Sequence, residues 1–204
     1  FCYEEIQKSK ESGDNVFQLI DREVSNVPTG SKGMFFHPYL LGERAPYWDP
    51  SLRASFIGAE MAHRKAHFLR ALMEGVAFSL KDCYRVIENM GIEVNEFILI
   101  GGGSKSNIWS QIVCDIFGEK VSRPAVSDAS FGAALLAGVG IGIFSSLKEA
   151  VKKCNKIKKE YIPDYSRVGL YKKLFKIYIK IHDNLQSIYS NISSIINEGE
   201  INEI

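Results

Sequence analysis

The chain has 204 residues, 46% of them hydrophobic, which is ample for a packed core in one domain or in a domain with an appendage. Lys plus Arg number 25 against 24 Asp plus Glu, so no global field favours nucleic acid or an anionic membrane surface. No apolar run reaches the ~20 residues of a membrane span, and Cys2, Cys83, Cys114 and Cys154 form no CxxC pair, which predicts reduced thiols in a cytoplasmic protein and neither a disulfide framework nor a zinc site.

Residues 1–25 read as helical, broken at Ser12-Gly13 and capped again by Asp14 ahead of Val16, Phe17, Leu19 and Ile20. Turn chemistry from Val27 to Gly33 feeds a short apolar strand within residues 34–41, which Pro38 confines to an end or an edge. A long loop from Gly42 to Arg53 leads to a second short strand over residues 54–57. Leu69, Leu72, Met73, Val76, Leu80, Tyr84 and Ile87 recur at three- and four-residue steps, which predicts a helix over 63–90 with Gly91 after its end. Next come a strand at 96–100, a helix from Ser106 to Phe117 stopped by Gly118, a strand at 120–122, and a helix of small residues over 129–140 with Asp128 as its cap. Strands and helices alternating across short turns predict an α/β layer with a largely parallel sheet.

The tail differs. Tyr171, Leu174, Tyr178, Ile181, Leu185, Ile188, Ile192 and Ile195 alternate steps of three and four, the heptad spacing of a long amphipathic helix. A helix docked on its own domain is the expected use, with pairing to a second copy as a homodimer the alternative. The chain therefore divides into a unit of residues 1–165 and a helix with a frayed acidic end over 166–204.

The stretch most in need of explanation is FILIGGGSKSN, residues 97–107. A P-loop needs Lys directly after its last Gly, and here Ser104 intervenes. A dinucleotide fingerprint wants a third Gly where Ser106 stands and an acid near position 123, where there is Arg. Two readings remain: a tight turn with no ligand, or a strand–turn–helix whose glycines let a nucleotide lie against bare backbone. In the second, Ser104, Ser106 and Asn107 offer polar groups at the mouth of a helix N-terminus. A similar opening at Ser127-Asp128 on the same sheet edge would complete a cleft. Gly132, Ala133, Ala134, Ala137 and Gly138 read as residues that let their helix approach its neighbours closely.

The turn and its helix, GGG-S-x-S-x-x-W, followed by D-x-S-F-G-A-A-L-L-A-G, resemble the C-terminal domain of the FGGY carbohydrate kinases. The blocks GMFFHPYLLGERAPYWDPSLRASFIG (33–58) and HFLRALMEGVAFSLKD (67–82) carry the resemblance further, so that it covers about residues 14–185. It implies an α/β fold of the ribonuclease-H-like type found in the actin and sugar-kinase ATPases, here one half of a two-domain clamp, truncated at its N-terminal side. It implies ATP and Mg²⁺ as cofactors and transfer of the γ-phosphoryl group to a sugar hydroxyl. D-Xylulose is the expected acceptor, with gluconate, ribulose or a non-catalytic nucleotide switch as alternatives.

Position by position, Gly101, Gly102 and Gly103 would lie against the adenosine and α-phosphate, with Ser106 near the adenine and Asn107 beside it. The loop with Glu43, Arg44, Tyr47 and Trp48 would line the interdomain cleft. The structural alternative has Glu43 and Arg44 pin the loop while Tyr47 and Trp48 plug the core, and it is the favoured one. Relatives usually carry Gly where Ala54 stands, a departure that matters only if the backbone there needs a positive φ. The family's catalytic aspartate and most of its sugar pocket have no counterpart in these residues, so the chain alone is expected not to phosphorylate sugar. Asp82 and Asp115 are read as helix residues, Asp115 in packing or capping. His63 and His67, four apart on the expected helix, have Arg64 and Lys65 between them and are not read as metal ligands. Lys152, Lys153, Lys156, Lys158 and Lys159 read as a solvated helix face, not a nucleic-acid surface.

Overall fold

The structure, a computed structural model, describes residues 2–126 and 128–197. Two N-terminal helices, α1 (Tyr3–Ser12) and α2 (Val16–Ser25), are separated by Gly13 in the left-handed conformation. The cap of α2 is Asn15, whose side chain accepts from the Phe17 N–H at 2.9 Å, and not Asp14 as the sequence suggested. Strand β1 (Phe35–His37) stops at Pro38 and pairs antiparallel with β2 (Ser55–Ile57). Ala54 is not among the residues with positive φ, so the methyl group there carries no backbone strain.

Helix α3 (Lys65–Asn89) forms the spine. Its fully covered face is formed largely by small and polar residues, including Arg70, Ala71, Glu74, Gly75, Ala77 and Asp82, while Leu72, Leu80 and Ile87 of the expected stripe stay partly exposed. Gly75 explains the closeness of β1: a Cβ there would sit 2.1 Å from the Phe36 carbonyl oxygen. His63 precedes α3, so the two histidines do not share a helix. Each Nδ1 instead accepts a backbone N–H from three residues earlier, Glu60 for His63 and Arg64 for His67.

Strand β3 (Phe97–Ile98), helix α4 (Asn107–Phe117) and strand β4 (Val121–Pro124) form the parallel unit, with Phe97 opposite Val121. Helices α5 (Ala129–Gly140) and α6 (Leu147–Cys154) follow, then strand β5 (Ile157–Tyr161) and the 33-residue helix α7 (Tyr165–Asn197). The sheet order is β3-β4-β5 with β5 antiparallel to β4, so only one of its two pairings is parallel. The basic run is likewise split: α6 ends at Cys154, and Lys158 and Lys159 lie on β5.

The main core joins Ala77 and Phe78 of α3, Ile112, Val113, Cys114 and Ile116 of α4, Val121, Tyr161, and Tyr171 and Tyr178 of α7. Helix α7 thus docks on its own domain. Its inner face is Tyr171, Leu174, Tyr178, His182, Leu185 and Tyr189, whereas Ile188, Ile192 and Ile195 of the expected stripe remain exposed. Helix α5 does not meet the expectation of close packing. Ala133, Ala134 and Ala137 are exposed, and a Cβ on Gly132 would meet nothing within 4 Å. Gly138 alone is tight, against Phe144. Among the described residues no helix is long and apolar enough to cross a membrane. Residues 198–204, expected to fray, and Ser127 of the second turn lie outside the described residues.

Candidate functional site

Parallel pairing of β3 and β4 sends both following turns off the same sheet edge. The ladder extends one residue past β3, through Leu99 N–H to the Ser122 carbonyl at 2.9 Å, before the chain turns at Gly101. Gly101 has φ +86°, a conformation that side-chain-bearing residues rarely adopt. A short 3₁₀ turn over Gly102–Lys105 follows, and Ser106 caps α4 by accepting the Trp109 N–H at 3.0 Å.

The three glycines have three different local reasons. Gly101 supplies the left-handed φ. Gly103 lies under an indole ring, where a Cβ would come within 2.7 Å of Trp109. Gly102 meets neither condition: its φ is ordinary, a Cβ on it would meet no atom within 4 Å, and the backbone there is exposed. Nothing among the described residues requires Gly at 102.

The polar residues of the turn divide as well. Ser104 is buried and donates to the Gly101 carbonyl at 2.7 Å, so its hydroxyl closes the turn from inside. Ser106 donates to Asp21 Oδ1 of α2 at 2.8 Å; burial raises the Asp21 carboxyl above the usual range, and this bond works in the other direction. Asn107 accepts through Oδ1 from Tyr161 (2.8 Å) and Lys159 (3.1 Å), leaving its Nδ2 amide without a partner among the described residues. Arg123 of β4 clamps the turn by donating to the Ser104 carbonyl at 2.7 Å. Neither Asp21 nor Arg123 was expected in this role. Asp21 is 85 residues from Ser106, and no local spacing signals such a contact.

The second candidate segment, Glu43 to Pro50, is a closed loop with reciprocal backbone bonds between Glu43 and Asp49 at 2.9 and 2.8 Å. Glu43 Oε1 accepts the Arg44 N–H at 2.7 Å, pinning the start of the loop. Tyr47 stacks on His182 of α7 with ring centroids 3.7 Å apart and donates its hydroxyl to the fully buried Asp82. Asp82 is held in turn by Arg85 at 2.8 Å. Burial and the Asp82 carboxylate both push the Tyr47 phenol well above its usual pKa. Glu43 and Tyr47 are therefore anchors, as expected. Arg44 and Trp48 are not: Arg44 is exposed with no ion pair among the described residues, and Trp48, at φ +49°, is 76% exposed. Of these four side chains, Glu43 and Tyr47 hold the loop while Arg44 and Trp48 are presented. Among the described residues no hydrogen bond, ion pair or ring contact joins it to the glycine turn.

Asp115 accepts the Asp164 N–H at 2.9 Å and so fastens the start of α7, a structural duty. The described residues contain no group of three or more His, Cys, Asp or Glu arranged to hold a metal.

Residues 2–141 match the model of the FGGY family of carbohydrate kinases, C-terminal domain. Over 179 residues the chain is 36% identical to the xylulose kinase of Bacillus subtilis strain 168, covering 87% of this chain and 36% of that protein. It is 32% identical over 195 residues to the gluconokinase of the same strain, covering 95% and 38%. The crystal structure of ligand bound xylulose kinase from Lactobacillus acidophilus matches with a TM-score of 0.79 and 30% identity, covering 89% of this chain and 37% of that one. The fold is thus that of the sugar kinases in the actin-like ATPase group, and the chain spans little more than a third of the length of the relatives it matches.

Proposed function

The chain belongs to the FGGY family of carbohydrate kinases as a C-terminal domain, and on that footing we propose that it is the nucleotide-side part of an ATP-dependent sugar kinase. The observation that carries this reading is Gly102. Its bareness answers to no need of the described residues, and it stands in an open turn that leads into the N-terminus of α4. A flat nucleotide accounts for it, because a side chain there would occupy the ligand's space. In this reading the backbone of Gly101 and Gly102 lies along the adenosine and α-phosphate. Ser106 stands near the adenine, Asn107 offers its free Nδ2, and the first-turn N–H groups of α4 favour negative charge nearby. When bound, ATP supplies the phosphoryl group that is transferred to the sugar hydroxyl. Mg²⁺ prefers phosphate oxygens and water to a dedicated protein cage, so it belongs with the nucleotide, and no residue described here is assigned to it. Arg44 and Trp48 face the opposing part of the enzyme across the cleft.

The acceptor in this proposal is D-xylulose, yielding xylulose 5-phosphate; similarity to a protein named xylulose kinase supports it, and similarity to a gluconokinase keeps gluconate as the competing acceptor. The catalytic aspartate and most of the sugar pocket are placed in the part of the relatives' length that this chain does not span, so the chain alone is expected to bind nucleotide without phosphorylating sugar. Two measurements test the proposal. Calorimetry with ADP should show binding that Gly102→Asp abolishes, and unchanged affinity in that variant would refute the placement. A coupled ADP-release assay of the natural full-length protein over D-xylulose, ribulose and gluconate should favour D-xylulose. Turnover of ATP at the same rate without any sugar would replace the kinase with a nucleotide switch.

A further inference from the structure

Asp21 carries a charge that the described residues do not use in full. Its carboxylate stands half-buried on α2, beside the cap of α4, and burial raises its pKa. Among the described residues no ion pair reaches it, and the one bond it accepts comes to Oδ1 from the Ser106 hydroxyl, at 2.8 Å. That bond needs an acceptor and no charge, so an asparagine would serve it as well. The positive end of α4 offsets part of the cost of holding an ion there, but leaves the second oxygen unengaged. Oδ2 accepts nothing among the described residues, and it is not one of their sealed polar atoms.

The surroundings narrow what Oδ2 can meet. The Ser106 hydroxyl is spent, since it donates to Asp21 and accepts the Trp109 N–H at 3.0 Å, and so keeps no proton for a ligand. Asn107 offers a donor through Nδ2, its Oδ1 being taken by Tyr161 and Lys159. The acceptor left open where α2 meets the turn is Oδ2 of Asp21. Apolar surface lies near it in the chain: Phe17, one helical turn earlier on the same face of α2, is 70% exposed, and Ile100, next to Gly101, is 60% exposed. An open ring and bare glycines suit a flat base, while like charge keeps phosphates away from the carboxylate. The donor that adenine brings is its 6-amino group. We infer, resting on the nucleotide reading of this turn, that Asp21 is a specificity residue, accepting through Oδ2 from the exocyclic amino group of adenine while Ser106 holds Oδ1. A ligand without that group leaves a half-buried carboxylate lacking its donor, and a bond to a charged acceptor is worth about tenfold or more in affinity.

Calorimetry on the natural full-length protein compares ADP with GDP and with purine riboside 5′-diphosphate, which differs from ADP only in lacking the 6-amino group. The wild type should bind ADP at least about tenfold more tightly than either, a comparison that needs no variant. Asp21→Asn keeps an acceptor for Ser106 and turns an N–H donor towards the base. It should weaken ADP at least about tenfold and leave purine riboside 5′-diphosphate within about threefold of its wild-type affinity. Equal wild-type affinity for ADP and its deaminated analogue would overturn the inference, as would tighter binding of GDP. An Asp21→Asn variant that keeps the wild-type preference, or that weakens both ligands alike because α2 has loosened, would overturn it too. In each of these outcomes ADP binding by the wild type leaves the nucleotide reading standing. A wild type that binds none of the three ligands would remove both.

Discussion

A Cβ added to Gly103 would press on the Trp109 ring, whereas one added to Gly102 would enter open space. Adjacent glycines should therefore respond in opposite ways. Gly103→Ala should lower stability by about 1–3 kcal/mol, the usual cost of overpacking, while nucleotide affinity changes little. Gly102→Asp should leave the melting temperature nearly unchanged and remove ADP binding. Thermal unfolding and calorimetry on both variants decide between a ligand-shaped turn and a merely tight one. A second residue-scale prediction concerns His37, which is buried with Nε2 at 3.2 Å from the Tyr178 carbonyl and with Nδ1 lacking a hydrogen-bond partner among the described residues. The neutral ring donates through Nε2, and a proton on Nδ1 would be a buried charge with nothing to accept it. Burial accordingly lowers the His37 pKa from the usual 6.5 to about 4. The unfolded chain takes up this proton first, so the stabilisation is complete above pH 6.5 and is lost as pH falls towards 4. The span corresponds to about 3 kcal/mol. His37→Gln keeps a donor for the carbonyl and should flatten that part of the stability–pH curve relative to wild type.

At the scale of elements, the loop at 43–50 is held by Glu43 at its start, by Tyr47 deep in the body and by Asp49, which accepts from Gln186 of α7 at 3.2 Å. Tyr47→Phe keeps the ring on His182 but leaves Asp82 with Arg85 and no phenol. That change should cost about 1–3 kcal/mol, the penalty of an under-satisfied buried carboxylate, and denaturant titration should show it. Trp48→Ala, by contrast, should leave stability within about 0.5 kcal/mol because the indole is exposed. What was legible in the sequence follows the range of the forces involved. Helix α4 was readable from Ser106 to Gly118 because its cap and its stop are local. The glycine turn was readable because strand, turn and helix adjoin. Strand β5 and its antiparallel pairing were not, since Ile157–Tyr161 carries three charged residues in five and reads as part of a basic run. The partition of the 43–50 loop was hidden for a related reason. Whether Trp48 or Tyr47 turns inward depends on Asp82 and His182, which are remote in sequence.

Across the whole molecule, one carboxylate ties together segments that lie far apart in the chain. Glu74 Oε1 accepts from the Gly30 N–H at 3.0 Å, from Arg70 Nε at 2.8 Å and from the Tyr171 hydroxyl at 2.7 Å. Arg70 also donates to the Tyr171 hydroxyl, at 3.0 Å. The turn before β1, the spine helix α3 and the start of α7 thus meet at one buried group. Because α7 runs on to Tyr178 in the main core and to Tyr189, which packs in a separate cluster with Tyr39 and Leu52, a loss at Glu74 is felt along the length of the helix. Glu74→Ala would leave the Arg70 guanidinium buried without its counter-ion, which should cost about 3–5 kcal/mol. Tyr171→Phe removes one hydroxyl and should cost about 1 kcal/mol, the typical worth of a hydrogen bond. If the three groups act as a unit, the double variant will be less destabilised than the sum of the singles, with a coupling of about 0.5–3 kcal/mol. Unfolding should remain a single transition in every variant, since α7 joins the main core to the Tyr39–Leu52–Tyr189 cluster. Additive losses in urea titrations, or a separate early transition for the segment carrying Tyr189, would show that the helix is an independent appendage and not a strut of the same domain.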